Sequence, residues 1–156
     1  MSSLFDPLGL MCPVMLEAKL IMQHIIKQKY GWDDPVQQEE QEKWISWCRR
    51  LPALEEVTIP RVYGGVGFSV ASSIDLHVFC DASERGIGAC AYLRMETPIG
   101  VKCALVAAKS RLALMKPTTI PRLELTAAMI GSRVRSRVAE ELDLSSKQAT
   151  MWTLDR

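Results

Sequence analysis

At Ile74 the apolar residues change period, and that change limits the folds open to this chain. In "IDLHVFCDAS", Ile74, Leu76, Val78 and Cys80 alternate with Asp75, His77, Phe79 and Asp81. Alternation of period two puts the first set on one face of a β-strand and the second on the other. "SERG" then reads as a turn, "GIGACAYLRM" as a second strand, "TPIG" as another turn and "VKCALVAAKS" as a third strand. Connections this short predict an antiparallel three-stranded meander. After "KPTTIP", Pro121 stands in the first turn of a helix. Leu123, Ala127, Ile130, Val134, Val138 and Leu142 form its apolar stripe. "QATMWTLD" reads as a fourth strand, so the expected class is α/β: meander, helix, strand.

Upstream of Ile74 the period is helical. "FDPLGLMCP" is rich in turn formers, and from Pro13 the residues Val14, Ala18, Ile21 and Ile25 share a helix face, widened by Leu20 and Ile26. Gly31 and Pro35 break that helix, and Asp33-Asp34 between them read as a turn with helix-capping acids. A second helix is predicted from about Val36 to Leu51, with Trp44, Trp47, Cys48 and Leu51 on one side. "LPALEEVTIPR" reads as an extended linker. The Gly/Ser-rich "YGGVGFSVASS" marks a boundary. The expected organisation is a helical segment over 1–63, a linker over 64–73 and an α/β domain over 74–156.

With 48% apolar and 24% charged residues, the 156-residue chain can fold as a globular protein. No apolar run nears the ~20 residues of a membrane span, and no membrane partner is expected. No basic segment followed by an apolar core opens the chain, so a secretory signal is not expected either. The five cysteines are odd in number and form no CxxC pair, which argues against structural zinc and fits a reducing compartment, cytoplasmic or nuclear. Net charge is +1, but it is unevenly spread. From Lys109 to Arg137 there are seven basic residues around a single acid, Glu124. Lys109, Arg111, Arg122, Arg133 and Arg135 are candidate phosphate contacts, or an ordinary solvated face.

Carboxylates stand at the ends of elements: Asp81 ends the first strand, Glu124 lies in the first helical turn and Asp155 ends the fourth strand. Side chains so placed can project into a shared cleft. Hard divalent cations such as Mg²⁺ take oxygen ligands, and two of them can clamp an in-line phosphodiester displacement. For Asp81 and Glu124 the plainer roles are a turn-forming residue and a first-turn acid favoured by the helix dipole.

"FCDASERGIGACAYL", "AKSRLALMKPTTIPRLELTAAMIGSRV" and "MWTLDR" resemble consecutive segments of the ribonuclease H region of BEL/Pao-type retroelements. "FDPLGLMCPVMLEAKLIMQ", "GWDDPV" and "IPR" resemble the segment joining reverse transcriptase to that region. The resemblance implies a ribonuclease H-like fold acting on the RNA strand of an RNA–DNA hybrid, within a reverse transcriptase polyprotein. It implies Asp81, Glu124 and Asp155 as ligands of Mg²⁺ or Mn²⁺. A peptidase label also attaches to this region, but Asp81 is followed by Ala82-Ser83 and no D-[ST]-G motif is present. The reverse transcriptase Y-x-D-D type motif is also absent.

Two departures bear on activity. The family's fourth strand reads like W-T-D-S, whereas this chain has Trp152-Thr153-Leu154-Asp155. A one-residue shift turns a strand side chain to the other face, and only a β-bulge restores the aim of Asp155. The resemblance also implies a further helix, a fifth strand and a last helix beyond Arg156, making this an incomplete domain. Both departures point to a chain without catalysis of its own. The alternative is a non-catalytic remnant that binds nucleic acid or protein.

Overall fold

A computed structural model describes residues 6–65, 67–115 and 118–153. The chain divides into two compact units: Pro13–Ile59, and Met1–Cys12 together with Pro60–Arg156. Among the described residues no helix is long and apolar enough to cross a membrane.

The first unit is helical. Helix α1 spans Cys12–Lys27 and α2 spans Gln38–Arg50. Ala18, Ile21 and Trp47 form a small buried core, with Val14, Ile25, Cys48 and Leu51 against it. Trp44 stacks on Trp47 but keeps much of its surface exposed. The Trp47 indole N–H donates to the Val14 carbonyl at 3.0 Å, so its burial leaves no unsatisfied donor. Asp34 makes the expected turn by accepting the Gly31 N–H at 2.6 Å. Neither acid caps α2, whose N-cap is Gln37 without a side-chain bond. The segment Leu51–Glu56, read above as extended, is a 3-10 helix with proline in its first turn. A proline there already has a helical φ and has no N–H to lose.

The second unit is built on a four-stranded sheet. Strands β1 (Ser73–Ala82), β2 (Gly86–Thr97) and β3 (Gly100–Leu112) form the antiparallel meander. Helix α3 (Ile120–Glu141) leads to β4 (Ala149–Thr153), which pairs parallel to β1. The sheet order is β3-β2-β1-β4. This is the meander, helix and strand that the residue pattern predicts, in a mixed sheet of the ribonuclease H-like kind that the resemblance implies. Leu76, Val78 and Cys80 of β1 are buried, and so is the α3 stripe Leu123, Ala127, Ile130, Val134 and Val138. Removing these two apolar surfaces from water holds helix to sheet.

The opening segment belongs to this unit. Asp6 accepts the N–H groups of Leu10 and Met11, closing a turn. That turn brings the Leu8 carbonyl to the Ala108 N–H of β3 at 2.6 Å. Part of the β3 edge thus gains a partner, which an exposed strand edge otherwise lacks.

Candidate functional site

Topology decides which side chains can meet. β1 and β3 both run antiparallel to β2, so they finish at the same end of the sheet. Helix α3 starts beyond β3 and returns the chain to the start of β4, itself parallel to β1. The first turn of α3 therefore lies at the end where β1 and β4 finish. Asp81, half-buried, is the penultimate residue of β1. Glu124 is half-buried at the start of the second turn of α3, one residue past the first turn that the sequence predicts for it, because the helix begins at Ile120. Both carboxylates are brought to one end of the unit.

They reach it from different sides. Asp81 shares the sheet face of His77 and Phe79, opposite the face that α3 covers. The last described β1–β4 pair is Cys80 with Thr153. Up to that pair the strand backbone lies between the face of Asp81 and the face that α3 covers. Asp155 lies outside the described residues. Among the described residues no three acid, histidine or cysteine side chains gather closely enough to hold a metal. Asp81 and Glu124 are hard oxygen donors of the kind Mg²⁺ takes. Burial, with the charges of Asp81 and Cys90, pushes the thiol of the neighbouring Cys80 up.

The basic candidates separate in space. β2 pairs Ala91 with Ala107 and Tyr92 with Leu105, leaving Val106 as a bulge. The extra residue reverses the alternation of the rest of β3. Lys109 and Arg111 then stand opposite the buried Ala89 and Ile87, on the helix side of the sheet, yet exposed at its edge. Arg122 is exposed in the first turn of α3. These three lie at the carboxylate end. Arg133 is exposed about 16 Å further along the helix than Arg122, at about 1.5 Å per residue. Arg135, further still, donates from Nε to the Ala149 carbonyl at 3.1 Å and ties α3 to the start of β4.

One surface lay outside the sequence reading. Trp152 joins His77 and Phe79 on the open sheet face, its ring within 13° of parallel to Phe79. Its indole N–H donates to His77 Nδ1 at 3.1 Å, so His77 is a satisfied histidine. Phe79 and Trp152 were each visible as strand aromatics, but their contact needs the β1–β4 register.

The chain matches the family described as Pao retrotransposon-like RNaseH-like domain over residues 1–155. No curated protein and no solved structure matches it. The match begins with the opening segment that partners β3, runs through Asp81 and Glu124, and covers nearly the whole chain. This chain therefore belongs to the Pao retrotransposon-like RNaseH-like domain family.

Proposed function

We propose that this chain is part of a retroelement polyprotein, following a reverse transcriptase. Its sheet unit serves hydrolysis of the RNA strand of an RNA–DNA hybrid. The observation that carries this reading is the placing of Asp81 and Glu124 at one end of the sheet unit with Lys109, Arg111 and Arg122. In the reading, Asp81 and Glu124, with Asp155 as third candidate, hold Mg²⁺ or Mn²⁺. Such an ion, once bound, supplies charge that activates water and steadies the leaving 3′ oxygen. The basic side chains hold the phosphate backbone without reading base sequence. Arg133 is a more distant contact, and Arg135 is committed to β4.

Leu154 favours a second outcome for this chain taken alone. In sequence it stands where the family pattern has the fourth-strand acid, and on that reading the chain keeps hybrid binding and lacks turnover. Cleavage of a labelled RNA strand annealed to DNA, with Mg²⁺ or Mn²⁺, separates the two. Wild type is compared with Asp81→Asn. No cleavage by folded wild type, with hybrid binding retained, is the expected result. Cleavage that vanishes in Asp81→Asn establishes a working metal site and overturns the proposed inactivity. Folded wild type that neither cleaves nor binds hybrid overturns the nucleic-acid reading.

A further inference from the structure

Gly131 is buried in the interior of α3. Glycine weakens a helix interior relative to alanine, so its presence there calls for a spatial reason. A Cβ built on Gly131 would lie 3.2 Å from both Cβ and Sγ of Cys80, and 3.4 Å from Sδ of Met151. The helix backbone therefore comes down closely over the seam between β1 and β4, at the residue preceding Asp81. Cys80 meets it with a small side chain.

Glu124 lies seven residues before Gly131. Seven residues turn a helix to within about 20° of two full turns and rise about 10 Å. Glu124 is thus on nearly the same stripe of α3 as Gly131, two turns towards the end of the sheet where Asp81 stands. Any lift of α3 at Gly131 moves Glu124 on one side of the seam relative to Asp81 on the other. We infer that Gly131 is a positioning residue for this pair of acids: its missing side chain sets the height of α3 over β1 and β4, and so the separation of Glu124 from Asp81. This rests on the reading of the two acids as metal ligands.

The test uses the full chain and Mn²⁺, followed by electron paramagnetic resonance. In Gly131→Ala, Mn²⁺ affinity is expected to fall about tenfold, as when support around a metal ligand is lost, while circular dichroism is unchanged. Adding Cys80→Gly moves the lost space to the strand and restores the affinity. Val138→Ala, which removes buried methyls two turns further from the acids, lowers stability and leaves Mn²⁺ affinity as in wild type. A crystal structure of Gly131→Ala is expected to show the two carboxylates further apart. An unchanged separation in folded Gly131→Ala overturns the inference, as does equal weakening of Mn²⁺ binding by Val138→Ala. If wild type and Asp81→Asn both fail to bind Mn²⁺, the ligand reading falls, and the measured separation still decides whether Gly131 sets it.

Discussion

Arg122 and Arg135 belong to one helix and are the same residue type, yet their surroundings assign them different work. Arg122 is exposed at the carboxylate end, and Arg135 spends its Nε proton on the Ala149 carbonyl. Arg122→Ala should weaken hybrid binding and reduce its logarithmic salt slope by about 1, the effect of losing one phosphate contact. Arg135→Ala should leave that slope alone and lower unfolding free energy by about 1 kcal/mol, the net worth of one hydrogen bond. Fluorescence anisotropy against salt and urea titration measure the two effects. The sequence could not make this distinction, because the carbonyl that occupies Arg135 lies 14 residues away across a turn.

The thiols give a pH dependence at the same scale. Burial pushes up Cys80, with further pressure from Asp81 and Cys90, and burial also pushes up Cys90. A folded-state thiol held above its unfolded value loses its proton last. Above about pH 8.5, the ordinary thiol value, the unfolded chain therefore binds fewer protons than the folded one. Stability contributed by these groups is complete below that pH and declines as pH rises towards the folded values. Urea midpoints from pH 7 to 10 should fall, and fall less in Cys80→Ala. A midpoint that rises over this range would contradict the assignment of burial as the main cause.

At the scale of elements, Gly9 is the clearest point of failure. Its φ is +73° and a Cβ there would stand 1.8 Å from the Ala108 carbonyl oxygen. Gly9→Ala therefore meets both an unfavourable backbone angle and a collision with β3. Its cost should exceed about 1 kcal/mol, the upper range for a glycine replacement that fits. Amide exchange should quicken first at Ala108, whose N–H bonds the Leu8 carbonyl. The strands and α3 were legible because burial follows their periods residue by residue, from Leu76-Val78-Cys80 to Leu123-Ala127-Ile130. The 3-10 turns at Leu51–Glu56 were not, since prolines at both ends of "LPALEEVTIP" suit extended chain as well as a tight first turn. Nor was the Val106 bulge. Continued alternation along "VKCALVAAKS" would have sent Lys109 and Arg111 to the other face, and only the pairing with β2 reveals the reversal. At the candidate site, Asp81 and Glu124 were legible as acids at element ends. Their approach from opposite sides of the sheet depends on which face α3 covers, which no local pattern specifies.

At the scale of the molecule, charge decides how a hybrid could be held. A net charge of +1 over 156 residues gives little overall field to draw in a polyanion. On the proposed reading, attraction comes from the local group at the carboxylate end, Lys109, Arg111 and Arg122, set against two acids that repel phosphate unless a divalent cation neutralises them. Each phosphate neutralised on a duplex contributes about −0.9 to the slope of log affinity against log salt, so three contacts predict a slope between about −2 and −3. Joint replacement of Lys109, Arg111 and Arg122 by glutamine should remove that part of the slope, leaving only the share of the more distant Arg133. Replacing Arg61, Arg94 and Lys147 instead removes equal net charge elsewhere and should leave the slope nearly unchanged. Mn²⁺ adds a second expectation: it should tighten hybrid binding in wild type and not in Asp81→Asn, because only wild type exchanges the repulsion of that carboxylate for a bridging cation. Similar losses from the two triple variants would mean that diffuse charge, rather than the end of the sheet carrying Asp81 and Glu124, holds the nucleic acid.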